Sequence, residues 1–205
     1  DDCQIEIIPG VEVSIRFKRP FFTGTLHLLC YFSRKSLADD SFVQAFESIL
    51  AKGRGEGLVR DRVAQINREF GPKGASPLLK RDLLVQDIAE YSTNATRRHF
   101  ALALAEKLGL GDKEMINQVI GNKSPAYLPS GIELSQGAAI IQRLPVVAVL
   151  AHPAAGSFPG QGHYREVLPP IDVVERILPE FIEAGIKGIE VYYPGHSQAH
   201  RQILK

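Results

Sequence analysis

The chain has 205 residues, 44% hydrophobic and 23% charged, a composition that suits a folded globular protein and excludes disordered and fibrous classes. Lys+Arg number 24 against 23 Asp+Glu, a net charge of +1 that gives no bulk field for duplex DNA or an anionic membrane. No apolar run approaches the ~18 residues of a membrane span, no signal peptide is visible in DDCQIEII, and the 2 cysteines make no disulfide framework, so a cytoplasmic, reduced protein is expected. The chain opens on Asp1 and its only methionine is Met115, so it reads as a fragment or a processed product.

In chain order, Ile5 to Phe32 reads as strands. IEIIPGVEVSI is rich in β-branched residues, with a break at Pro9-Gly10. TLHLLCYF follows a Thr23-Gly24 turn signal and is apolar on both parities, which predicts a strand buried on both faces, as in parallel sheets. From Leu37 to Asn122 the pattern turns helical. FVQAFESIL sets Phe42, Ala45, Phe46 and Ile49 on one face, and LVRDRVAQINREF does the same with Leu58, Val63, Ile66 and Phe70 before stopping at Gly71-Pro72. LLKRDLLVQDIAEY, ATRRHFALALAEKLGL and KEMINQVIG follow, with Gly109 and Gly121 as helix C-caps. The α/β texture then returns. A helix is predicted over Leu134–Leu144, a short buried strand in VVAVLAHP, a glycine-rich flap over Gly156–Gly162, and an amphipathic helix over Ile171–Gly185 that contains Pro179. GIEVYYP is a further strand, and His196 to Leu204 begins a helix. This spacing predicts an α/β protein of βα units with neighbouring parallel strands, divided as 1–36, a helical insertion over 37–122, and 123–205.

The residues that could carry chemistry are few. His27 sits inside an apolar strand and His152 ends another, and the C-terminal end of a buried strand is where α/β sites gather. Glu12 lies among Val11, Val13 and Ile15, and a carboxylate there is costly to bury unless paired or metal-bound. Each has a plainer reading: a core histidine bonded to a carbonyl, or a glutamate facing water. Together, two histidines and a carboxylate suit zinc, manganese or iron. Arg97, Arg98 and His99 open a helix and could bind phosphate, although a solvated basic face explains them too. Arg60 and Arg62 are similar, with salt-bridged helix surface as the first reading. AAGSFPGQGHY lacks the GK[ST] ending of a phosphate loop. His163 and His196 remain as further candidates, and Cys30 reads as a small core residue.

In this order IIPGVEVS, LHLLCYF, RRHFALAL, VVAVLAHP and GIKGIEVYYPGHS resemble the PHP family, named for polymerase and histidinol phosphatase. The resemblance runs from about Ile5 to His196, and within the family it is to stand-alone phosphoesterases, nucleoside 3′,5′-bisphosphate phosphatases and 5′-to-3′ exoribonucleases among them. It implies part of a distorted (β/α)7 barrel with an inserted small helical domain, divalent metal ions (Mn, Zn, Fe or Mg), and a small phosphorylated substrate or short RNA. On matching positions it implies Glu12, His27 and His152 as metal ligands, and Arg97 and His99, with Arg60 or Arg62, as phosphate contacts. The family's opening HxH strand and closing DxH strand have no counterpart in this sequence.

The expected function is therefore metal-dependent phosphate-ester hydrolysis by an incomplete core, with Arg97 and His99 facing the ligands from the helical block. The expected rivals are a non-catalytic phosphate- or metal-binding module and an accessory domain of a polymerase. The chain alone is expected to hold one ion, to hydrolyse phosphoesters slowly, and to self-associate through open sheet edges.

Overall fold

The computed structural model describes residues 7–93, 95–158 and 168–205. Five strands are present among them: β1 (Gly10–Arg19), β2 (Phe22–Phe32), β3 (Ile132–Glu133), β4 (Val146–Ala151) and β5 (Gly188–Ile189). The helices are α1 (Arg34–Leu37), α2 (Asp40–Leu50), α3 (Gly55–Phe70), α4 (Val85–Ala89), α5 (Arg97–Glu106), α6 (Lys113–Ile120), α7 (Leu134–Arg143), α8 (Ile171–Ala184) and α9 (Gln198–Ile203). They separate into a sheet unit, Asp1–Leu50 with Gly131–Lys205, and a helical unit, Ala51–Ser130. Those bounds compare with 37 and 122 from the sequence texture. Helix α2 belongs with the sheet, because Phe42 and Phe46 pack into the sheet's core.

The sheet unit is an open, mixed sheet in the order β3-β1-β2-β4-β5. β2 runs antiparallel to both of its neighbours, and only β1–β3 and β4–β5 are parallel, which corrects the expectation of parallel strands throughout. The reason is a tight hairpin. Arg19 pairs with Phe22, so Pro20 and Phe21 make the turn, and Thr23-Gly24 lies inside β2 instead of ending a strand. Proline presets the φ of a turn's first central residue, which is what Pro20 supplies.

Alternation splits the sheet into two faces. Val13, Ile15, Phe17, Leu26, Leu28, Cys30, Ala148 and Leu150 form the core face, all buried. Ile140 of α7 and Val174, Ile177 and Phe181 of α8 join them in one cluster. Burying side chains of this size stabilises by roughly 1.5–3 kcal/mol each. That is how α8 continues past Pro179 to a left-handed cap at Gly185, φ 106°: burial on both sides of the proline outweighs the roughly 3 kcal/mol that proline costs inside a helix. On the opposite face the register aligns Glu12 with Leu29, Ser14 with His27, and His27 with Ala151.

The helical unit has its own core, with Phe70, Phe100, Leu83, Ile88, Leu104 and Val119 each almost wholly buried. Asn67 ties α3 to the chain before α4, its amide donating to the Leu83 carbonyl at 2.8 Å while its oxygen accepts from the Leu83 N–H at 2.8 Å. Among the described residues no helix is long and apolar enough to cross a membrane.

Candidate metal centre

β1 and β2 build two corners of the site by simple alternation. Ser14 is directly opposite His27, and Glu12 is two residues from Ser14 on the same face, so the carboxylate reaches the imidazole on the diagonal. The Glu12 Oε1 lies 2.7 Å from His27 Nδ1. The third corner needs a break in regularity. Ala151, not His152, is the residue opposite His27, and an unbroken strand would send His152 to the other face. His152 instead has φ 27°, a left-handed value that costs a side-chain-bearing residue roughly 1–2 kcal/mol. Its ring thereby joins the others: Nε2 is 3.2 Å from Glu12 Oε1 and 3.1 Å from His27 Nδ1.

Glu12, His27 and His152 thus offer three ligand atoms facing one another. Donors at about 2.0–2.2 Å from a shared ion stand roughly 3–3.5 Å apart. The observed edges of 2.7, 3.1 and 3.2 Å come close to that spacing, so the donor set fits a divalent cation in size as well as chemistry. The reason the sequence suggested for Glu12 needs correcting. Its side chain is 47% exposed, so what places it in the cluster is alternation and not the cost of burial. Burial pushes the His27 imidazole below its ordinary pKa, the His152 ring adds to this, and Glu12 opposes it. The neutral imidazole so favoured is the form that binds metal.

Two contacts that sequence reasoning missed hold His152. The Glu190 carboxylate accepts its backbone N–H at 2.7 Å, and the Tyr193 ring lies 5.2 Å from its ring. Tyr193 is in turn stacked on Phe158 at 5.9 Å. A signal existed for Glu190: it is the one acid in the apolar run GIEVYYP, as Glu12 is in GVEVSI.

His196 stands apart from the cluster. It is buried, its Nδ1 is 2.9 Å from the Val191 carbonyl oxygen, and its ring packs near Tyr193 and Phe158. His163 and most of the glycine-rich flap lie outside the described residues. Cys30 is in the sheet core, where burial pushes its thiol up to about 11, so it stays protonated and unreactive.

The remaining candidates are in the helical unit. Arg62 donates from Nε to the Leu128 carbonyl at 3.1 Å, and Arg97 donates to Asn122 at 3.3 Å. Both line a cavity of about 60 Å³ with Phe100 and Tyr127. Arg60 is engaged elsewhere, in an ion pair with Glu56. His99 caps its own helix, its Nδ1 accepting from the Thr96 N–H at 2.9 Å.

No family model matches the chain, and no curated protein matches it either. Two solved structures do. One is a Bifidobacterium adolescentis protein described as a "putative metal-dependent phosphoesterase", at 19% identity and a TM-score of 0.44. The other is an amidohydrolase from Chromobacterium violaceum with bound sulfate and no metal, at 22% identity and a TM-score of 0.45. Each match covers 96% of this chain, which spans 61% of the length of either neighbour.

Proposed function

We propose that the chain is the core of a metal-dependent phosphoesterase of the PHP type, with Glu12, His27 and His152 among its metal ligands. The observation that supports this most is the closed triangle of donor atoms, with edges of 2.7–3.2 Å, drawn from the two arms of one hairpin and the distant end of β4. These are the same three residues that the sequence resemblance implies as ligands. A bound Mn, Zn, Fe or Mg ion would polarise a phosphate oxygen and lower the pKa of a bound water. The chain's own contribution is to present one anionic oxygen and two imidazole nitrogens on the open face of the sheet. Tyr193 packs beside the His152 ring, and Phe158 stacks on Tyr193.

In this reading the sheet belongs to a distorted barrel that carries the helical unit as an insertion. Arg97 and Arg62 hold the phosphate of a small nucleotide-like substrate, such as a nucleoside 3′,5′-bisphosphate or the 5′ end of a short RNA. Arg62 is preferred over Arg60 because it lines the same cavity as Arg97, whose volume admits a few water-sized groups. His99 acts by fixing the start of α5 and hence Arg97.

The test combines metal loading with turnover. Manganese is expected to bind the purified chain and to switch on slow phosphate release from a nucleoside 3′,5′-bisphosphate or a short 5′-phosphorylated RNA. His152→Ala should abolish both. Hydrolysis that survives chelation and His152→Ala overturns the reading. Metal and phosphate binding without turnover on either substrate moves it to a non-catalytic binding module.

A further inference from the structure

We infer that Glu190 is a positioning residue for this centre: its carboxylate locks the left-handed kink that turns the His152 ring onto the face of Glu12 and His27. The inference rests on reading that cluster as a metal centre. His152 is the only non-glycine residue with positive φ among the described residues. The kink is needed because Ala151 occupies the register position opposite His27. A conformation that L-residues disfavour persists only where its surroundings hold it.

The hold is visible on both sides of the residue. The Glu190 N–H donates to the Leu150 carbonyl at 2.8 Å, and the last β4–β5 pair is Leu150 with Ile189. Just past that pair the Glu190 side chain takes over, accepting the His152 N–H at 2.7 Å. Glu190 therefore grips the chain at two points, Leu150 in β4 and His152 just past its end. On the other side, the His152 carbonyl accepts from the Ala155 N–H at 2.9 Å. With both its amide and its carbonyl fixed, the direction in which the side chain leaves the backbone is set, and Tyr193 packs beside the ring. Partners of this outer kind commonly change metal affinity by 10–100-fold when removed.

The experiment compares wild type, Glu190→Ala and Glu190→Gln, with the fold checked by circular dichroism. The glutamine oxygen can still accept the amide, whereas alanine cannot. In metal-free protein, Glu190→Ala should speed hydrogen exchange at the His152 amide by about tenfold or more and erase ring-to-ring NOEs between His152 and Tyr193. In cobalt titrations followed by visible absorption, the same variant should bind about 10–100-fold more weakly. Glu190→Gln should remain close to wild type in both. An alanine variant with wild-type amide exchange, ring contacts and cobalt affinity overturns the inference. So does a glutamine variant as damaged as alanine, because Glu190 would then act by charge or direct ligation. Wild type that takes up no cobalt overturns the metal reading alone, and the metal-free measurements still decide whether Glu190 holds His152.

Discussion

In the sheet unit the candidate site joins polar side chains from far apart: Glu12 and His152 are 140 positions apart in the chain. In the helical unit the polar contacts are mostly short-range, as in Glu56–Arg60, Gln65–Arg68, Arg81–Asp87 and Thr96–His99. A strand puts every second residue on one face, so paired strands can assemble a site from separate segments without burying it. A helical bundle spends its interior on apolar contacts, and its polar residues cap, pair and line the rim. The sheet therefore carries the candidate chemistry and the helices carry cations and local order.

The sharpest way to break this comparison is to empty the helical core. Phe100 is 1% exposed at the centre of that cluster. Phe100→Ala should lower stability by about 3–5 kcal/mol in urea unfolding. If the sheet unit alone forms the metal centre, cobalt affinity below the unfolding transition should stay within about threefold of wild type. A matched loss of cobalt affinity would show that the helical unit shapes the centre.

The next effect lies in the centre itself. Glu12→Gln removes the one anionic donor while keeping shape, so cobalt affinity should fall about 100-fold, roughly 2.7 kcal/mol. Its stability should move by less than about 1 kcal/mol, because the side chain is 47% exposed and outside the core. Competition against a chelator of known affinity measures the first, and thermal unfolding without metal measures the second. A large stability loss with unchanged metal affinity would make Glu12 a structural partner of the histidines.

How far the site could be read from sequence follows from the same contrast. Glu12 and His27 were legible because each is a polar residue interrupting an apolar strand pattern, and period-two alternation is a local signal. That His152 joins them was implied by its strand-end place and by the family resemblance, but the device that brings it there was not legible. It depends on a single backbone angle and on Glu190, 38 positions later. Strand direction was hidden by the Pro20-Phe21 hairpin, where the Thr23-Gly24 dipeptide looked like the stronger turn. GIEVYYP reads as a whole strand, yet only Gly188–Ile189 pair, since their partner β4 ends at Ala151 and the chain kinks at His152. Helix positions in the middle of the chain were readable from periodicity, but the packing of α2 onto the sheet was not, because an amphipathic face does not name its partner.

Within the helical unit, Asp87 gives a pH-dependent test. Arg81 donates twice to its carboxylate, at 2.7 and 2.9 Å, and the Leu84 N–H adds a bond at 2.8 Å. These bonds, the Arg81 pair foremost, hold Asp87 below the ordinary aspartate value of 3.8. A carboxyl depressed in the folded state contributes stability above its unfolded pKa and loses it as pH falls through the lower folded value. Asp87→Asn should therefore cost about 1–3 kcal/mol near pH 7. The gap to wild type should begin to narrow as pH falls below the ordinary aspartate value of 3.8 and close below the lower folded value, where Asp87 is neutral in both states. A gap that is constant with pH would assign the loss to packing.

The smallest effect is expected at Arg60, and its smallness is informative. Arg60 and Glu56 are 67% and 71% exposed, an i,i+4 pair on the surface of α3. Such pairs contribute at most about 0.5 kcal/mol, reduced further by salt. Arg60→Ala should leave the unfolding midpoint nearly unchanged and leave inorganic phosphate binding as in wild type. Arg62→Ala and Arg97→Ala remove guanidiniums from the cavity they share, so each should weaken phosphate binding about tenfold, with the loss shrinking as salt rises. Isothermal titration at two salt concentrations separates the three. Were Arg60→Ala the variant that lost phosphate, the anion site would lie on the exposed face of α3, and the cavity lined by Arg62 and Arg97 would be no more than a packing gap between helices.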